Sequence, residues 1–242
     1  MQDEFAEQAS GIGALADPAR RSLYRYVAAQ ADAVGREQAA AAVGLPLHAA
    51  RFHLDRLVEE GLLETEYRRL SGRTGPGAGR PSKLYRRSSR ELSISLPERR
   101  YDLAGEVLAA AIERSMRDSV PIAEAVRTAA VEHGRRIAAN AATPAVPAGT
   151  VPAPMDAGGT DLERMARLLA RHGYEPRLSG DGQMRLANCP FDRLANEHRE
   201  LVCGMNLALL DGVVAGLGTD RLCAELAPEP GFCCVRIRGV GR

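Results

Sequence analysis

Tryptophan is missing from this 242-residue chain and aromatic residues make up only 4% of it. Alanine is abundant, so packed alanine-rich helices are expected rather than large sheets. No apolar run reaches the roughly eighteen residues of a spanning helix, so no membrane partner is expected. The opening "MQDEFAEQASGIG" has no basic start followed by an apolar core, the mark of a secretory leader. A cytoplasmic protein is therefore expected, and structural disulfides are rare in that compartment. Nothing resembling a nucleophile elbow, a phosphate loop or a paired acid/base signature occurs, which argues against an enzyme. A Cys-dependent enzyme using Cys203 with His198 remains only a remote alternative. Acidic residues are also absent from Tyr67 to Arg90, where seven Arg and Lys83 stand. With a net charge of +1 overall, that segment is a local anion-seeking surface.

No cysteine precedes Cys189, yet Cys189, Cys203, Cys223, Cys233 and Cys234 follow. An odd number of thiols crowded into one region suggests metal binding or reactive thiols rather than a disulfide framework. The competing reading is that they are small buried apolar residues. Close C-x₂₋₄-C pairs, the usual zinc-finger spacing, do not occur.

The N-terminal third carries a pattern of its own. In "DPARRSLYRYVAAQ", Asp17 suits an N-cap and Pro18 the first helical position. A short helix is expected over about 36–43, ending at Gly44, where glycine takes positive φ. A tight turn through Leu45 and Pro46 then leads to a second helix over about 47–60. Its Ala50, Leu54, Leu57 and Val58 form the inward stripe, leaving His48, Ala49, Arg51 and Phe52 to reach base edges. "LLETEYRR" alternates as a half-buried strand does. Helix, turn, helix and strand make the helix-turn-helix plan, whose second helix enters the major groove. The Gly/Pro/Arg loop that follows suits a wing, with Arg73, Arg80, Lys83 and Arg86 directed at phosphates or a narrow minor groove.

"ARFHLDRLVEEGLLE", with the "GRTGPGAGRPSKLYRR" hairpin behind it, resembles the winged-helix transcriptional regulators of the broad ArsR-like group, over roughly Leu15 to Arg87. The resemblance implies double-stranded DNA as partner. Where this group often places Ser or Thr to cap the recognition helix, this chain has Leu45-Pro46-Leu47.

The expected fold class is α+β, in four regions: a winged-helix domain over 1–95, helices for dimerisation over 96–142, an Ala/Pro-rich linker over 143–159, and a small α+β domain over 160–242. Long helices are expected from about Pro97 to Pro121, and again beyond it. In winged-helix regulators such a helix commonly pairs with its twin, since a palindromic operator is best read by a two-fold homodimer. Packing within its own domain is the alternative. "ATPAVPAGTVPAPMDAGG" reads as a semi-rigid linker.

Beyond it, "DLERMARLLARHGYEP" is an amphipathic helix, and "EPRLSGDGQMRLANCPF" and "RLCAELAPEPGFCCVRI" are hairpins around one or two helices. Cys189 ends a strand and Cys203 lies on the following helix. On a strand, Cys233 and Cys234 would point to opposite faces, so one of them is expected at a shared site; Cys233 is preferred, with Cys234 the alternative. Cys223 and His198 are weaker candidate ligands. Thiolates gathered from separate elements are compatible with an iron–sulfur cluster; a zinc site or a thiol switch would use the same residues. "NCPF", with a downstream helical Cys and a C-terminal Cys, is similar to the SufR repressors, winged-helix regulators of iron–sulfur assembly genes. That resemblance implies a cluster on Cys189, Cys203 and Cys233 or its neighbour, [4Fe-4S] in preference to [2Fe-2S], controlling operator binding as a sensor of redox, nitric oxide or iron–sulfur status.

Overall fold

The structure is a computed structural model that describes residues 2–69, 81–142 and 159–240. The chain divides into two compact units, Met1–Ile94 and Ser95–Arg242.

The first unit opens with α1 (Gln2–Ala14), which the sequence pattern did not announce, and α2 (Pro18–Ala28). The Asp17 carboxylate caps α2 by accepting the Arg20 N–H at 2.9 Å, with Pro18 in the first turn; such a cap stabilises a helix by about 1 kcal/mol. After β1 (Val34–Gly35), α3 (Arg36–Val43) stops at Gly44, whose φ of 72° is left-handed and suits a residue without Cβ. Then come α4 (Leu47–Glu59), β2 (Leu63–Arg68) and β3 (Ser82–Arg87). The strands form an antiparallel sheet in the order β1-β3-β2. Leu23 and Val27 of α2, Ala39 and Ala40 of α3, and Ala50, Leu54 and Leu57 of α4 pack with Tyr85 in one core. The stripe read from the sequence therefore faces inward, with Val58 at its edge.

The second unit holds α5 (Tyr101–Asp118), α6 (Ile122–Ala142), α7 (Asp161–Ala170), β4 (Pro176–Leu178), β5 (Gln183–Leu186), α8 (Asp192–Glu197), α9 (Arg199–Gly216), β6 (Leu222–Leu226) and β7 (Val235–Gly239). Its antiparallel sheet runs β4-β5-β7-β6. Thr160 and Glu163 close a reciprocal capping box at the start of α7. The apolar sequence of α9 is buried nearly all round: Val202, Met205, Ala208 and Leu209 join α5 and α6, while Leu210, Val213 and Val214 join α7 and the sheet.

α6 and α9 cross with backbones touching. A Cβ on Gly134 would collide with the Leu209 carbonyl, and one on Gly212 with the Val131 carbonyl. A Cβ on Gly216 would lie 2.6 Å from that of Ala138. This crossing revises the expected division of the chain. Residues 96–142 are not a separate helical region, because α5 and α6 share their core with α9. The long helix begins at Tyr101 rather than near Pro97, and residues 91–100 form no strand. The expected linker, save Gly159, lies outside the described residues.

Candidate functional sites: a basic helix face and a chain of thiols

The outward face of α4 is built by its inward one. With Ala50, Leu54 and Leu57 buried, His48, Arg51 and Phe52 turn to solvent, and Phe52 is 65% exposed. Ala49 is half-buried. Leu47, His48, Arg51, Phe52 and Arg56, with Arg20 and Arg36, line an open groove of about 1030 Å³ together with Asp55 and Glu59. Arg51, Arg56 and Arg36 have the carboxylates of Asp55, Glu59 and Glu37 within 4.0 Å. Pro46 at the N-cap supplies no side-chain bond, so the first N–H groups of α4 are left for solvent or for phosphate oxygens.

The wing strand is tied back to this helix. Asp55 Oδ1 accepts from Lys83 Nζ at 2.6 Å and from the Tyr85 hydroxyl at 2.9 Å. Burial pushes the Asp55 carboxyl up, but those two hydrogen bonds, with the charges of Lys83 and Arg51, more than offset it and hold it below the usual carboxylate value. Burial, then the bond to Asp55, raises the Tyr85 hydroxyl well above its ordinary value. Arg86 Nε lies 2.8 Å from Glu64 Oε1. Lys83 and Arg86, expected on phosphates, thus have carboxylate partners within their own unit. Arg73 and Arg80 lie outside the described residues.

In the second unit, sulfur atoms of separate elements meet. Cys189 stands in the turn between β5 and α8, and Cys203 in the first turns of α9. Cys233 and Cys234 precede β7, which starts only at Val235. The strand alternation that would part them does not apply, and both thiols enter one chain of neighbours: Cys233 interacts with Cys189 and Cys234, and Cys234 with Cys203 as well. Those neighbours pull the Cys233 thiol down against the cost of burial, and the Asn206 amide 3.2 Å from its sulfur adds to this. The same interaction, and burial after it, push Cys189 and Cys234 strongly upward. Cys233 is 4% exposed and Cys189 packs against both cores of the unit.

Cys223 takes no part in the sulfur chain; it sits within β6, opposite Arg238 of β7. His198 is the exposed break between α8 and α9, at φ −132° and ψ 54°, and lies outside the chain as well.

The surroundings of the thiols contain residues the sequence reading missed. Asn206, one turn beyond Cys203 on α9, is 1% exposed. Its Nδ2 donates to Cys233 Sγ at 3.2 Å, and its Oδ1 accepts from the buried Tyr174 hydroxyl at 2.5 Å. On the other side, Arg99 Nη1 donates to the Asn188 side chain and to the Cys189 carbonyl, the latter at 3.0 Å. The Arg100 N–H donates to the Pro190 carbonyl, also at 3.0 Å. Asn188 Nδ2 in turn reaches the Glu98 and Gly173 carbonyls at 2.9 and 2.5 Å. A buried Asn inside a hydrophobic helix was the available signal for Asn206, since a buried amide needs partners.

Among the described residues, no three His, Cys, Asp or Glu side chains are gathered so as to hold a metal ion. Cys189, Cys233 and Cys234 nonetheless lie against one core, the sulfur-rich lining that a sulfur-preferring metal group would need.

Among the described residues no helix is long and apolar enough to cross a membrane. No curated protein and no solved structure matches the chain, so the likeness to the SufR repressors gains no support from either. Residues 15–66 match a family model described as a helix-turn-helix domain, and that stretch ends within β2 and contains α3, the turn and α4.

Proposed function

We propose that this chain is a homodimeric, DNA-binding transcription regulator whose DNA affinity is set by an iron–sulfur cluster on Cys189, Cys203, Cys233 and Cys234. The helix-turn-helix match over residues 15–66 supports the DNA-binding part. The basic, solvent-facing side of α4 suits a major groove, with Arg51 and His48 in reach of base edges. Homodimerisation has support from α5. Its Leu103, Ala104, Val107 and Ala111 are buried, while Tyr101, Ile112 and Met116 are exposed on another face, Met116 by 79%. A second copy of this chain is the occupant that a palindromic operator calls for.

The observation that supports the sensing part is that Cys189, Cys233 and Cys234 lie against one core, to which α9, the helix of Cys203, contributes Leu210 and Val213. When bound, an iron–sulfur cluster supplies redox change and loss as signals. The chain's own residues do the rest. The four sulfurs bind; Asn206 and the Val235 N–H stabilise charge on Cys233; Phe191 and Val202 exclude water beside Cys189 and Cys203. Arg99 and Arg100 hold the Cys189 segment to the residues that lead into α5, and Ser95 is joined directly to the DNA-binding unit by the chain.

Protein purified without oxygen is expected to be brown and to contain iron and sulfide. Serine at Cys189, Cys203, Cys233 or Cys234 is expected to cut both, and Cys223→Ser to leave them unchanged. A colourless chain holding stoichiometric zinc would reject the cluster.

A second reading is favoured by Cys189 and Cys233 sharing one core: a metal-free thiol switch. A pair such as Cys189 and Cys233 would lose two electrons and two protons to a peroxide, forming an S–S bond and releasing water. A disulfide peptide found by mass spectrometry in metal-free protein, with DNA binding changed to match, would establish it instead.

A further inference from the structure

Phe52 occupies the point of α4 furthest from the core. At about 3.6 residues per turn, it stands opposite the stripe of Ala50, Leu54 and Leu57, each fully buried. A helix laid on a surface presses that central position straight into it. Polar side chains usually stand there, yet here the centre is an aromatic ring and its rim is polar. His48 lies one turn before Phe52, Arg56 one turn after, and Arg51 beside it, all on the same groove. The Phe52 ring meets the His53 ring edge-on, with centroids 5.4 Å apart, so it has a neighbour on the helix side while its outer side faces solvent.

The rim selects among occupants. Residues 47–54 contain no acid, and Pro46 supplies no side-chain bond to the first N–H groups of α4. The two groove carboxylates belong to later turns and are engaged, Asp55 by Lys83 and Tyr85, and Glu59 by Arg56. Cationic side chains and helix N–H groups around an apolar centre fit a major groove. Its walls are phosphates, and its floor carries one apolar group, the thymine 5-methyl.

We infer that Phe52 is a specificity-determining residue that packs on a thymine 5-methyl group, so that the bound sequence carries an A·T pair beneath the middle of α4. This rests on the reading of the chain as a DNA-binding regulator, and is independent of the thiols. The contact is apolar and makes no hydrogen bond to the base. It therefore separates thymine from cytosine, which has no methyl at that place.

The full chain, purified with and without oxygen, selects duplexes from a random pool, and the form that binds is titrated with a selected duplex. Each thymine is then replaced singly by deoxyuridine, which removes the methyl and keeps every hydrogen-bonding group. One such replacement is expected to weaken the wild-type chain about four-fold, the worth of one buried methyl. Phe52→Ala, at an exposed helical position where alanine is favoured, is expected to bind the thymine duplex less tightly and to be indifferent to that replacement. A replacement that weakens both proteins equally, or none that weakens the wild type, overturns the inference while DNA binding stands. A chain that selects no sequence overturns it together with the DNA-binding reading. Loss of dimers on sedimentation of Phe52→Ala, with the discrimination against uracil kept, would overturn it by assigning the ring to a second copy of this chain.

Discussion

Asp55 shows how one side chain holds two elements of the first unit in register. It stands on the recognition helix, yet its carboxylate is occupied by Lys83 and Tyr85 of β3. Asp55→Ala leaves a buried tyrosine hydroxyl without its acceptor. Urea denaturation should therefore show the variant less stable by about 1–3 kcal/mol. The native carboxyl is held below its ordinary value of 3.8, so its protons bind more readily to the unfolded chain. Its contribution is present above that value and is lost as pH falls below it. The wild-type advantage over Asp55→Ala should accordingly shrink in acid. An equal stability difference at neutral and strongly acidic pH would contradict this account.

At the scale of elements, the α6–α9 crossing is the feature most exposed to test. Gly134→Ala or Gly212→Ala forces a methyl group into a facing backbone carbonyl, so the helices must part. Overpacking of this kind costs about 1–3 kcal/mol, and rigid backbone on the far side places these variants at the upper end. Because α9 carries Cys203, uptake of the proposed cluster should fall with stability. Gly105→Ala on α5 meets nothing within 4 Å and should instead stabilise by about 0.5–1 kcal/mol, through helix propensity alone. Thermal unfolding of the three variants checks both signs.

Those glycines also mark where the sequence stopped being readable. Local signals placed α3, α4, the capped α2 and both C-terminal hairpins, because Asp17-Pro18, Gly44 and alternating apolar residues act within a few positions. The partner of α6 was not legible. Small residues at 134, 212 and 216 are informative only when two helices are seen together, so residues 96–142 read as a region of their own. The candidate site divides in the same way. Cysteine is recognisable by type, but which sulfurs meet depends on where β7 begins. A start at Val235 leaves Cys233 and Cys234 in a bend, free of strand alternation. Asn206 and Tyr174, thirty-two positions apart, met only in three dimensions. The bond of Lys83 to Asp55, twenty-eight positions away, was likewise not legible beside the expected phosphate contact.

For the whole molecule, the proposed homodimer gives the exposed face of α5 a task. Ile112→Glu and Met116→Glu place charge on that face without touching the buried side of the helix. Sedimentation should show monomers with an unchanged circular dichroism spectrum. Since each subunit would then meet DNA alone, the slope of log affinity against log salt should drop to about half, in proportion to the phosphates neutralised. Dimers that persist in the double variant would move the interface elsewhere.

One guanidinium gives the molecule a mechanical property of its own. Arg99 grips the peptide carrying the first sulfur, and it lies five residues beyond Ile94, where the DNA-binding unit ends. A displacement of Cys189 would therefore reach the root of α5 through Arg99, and beside it through the Arg100 N–H on Pro190 and the Asn188 amide on Glu98. Tension and slack at that clasp are the simplest quantities by which the sulfur chemistry would be felt outside its own unit.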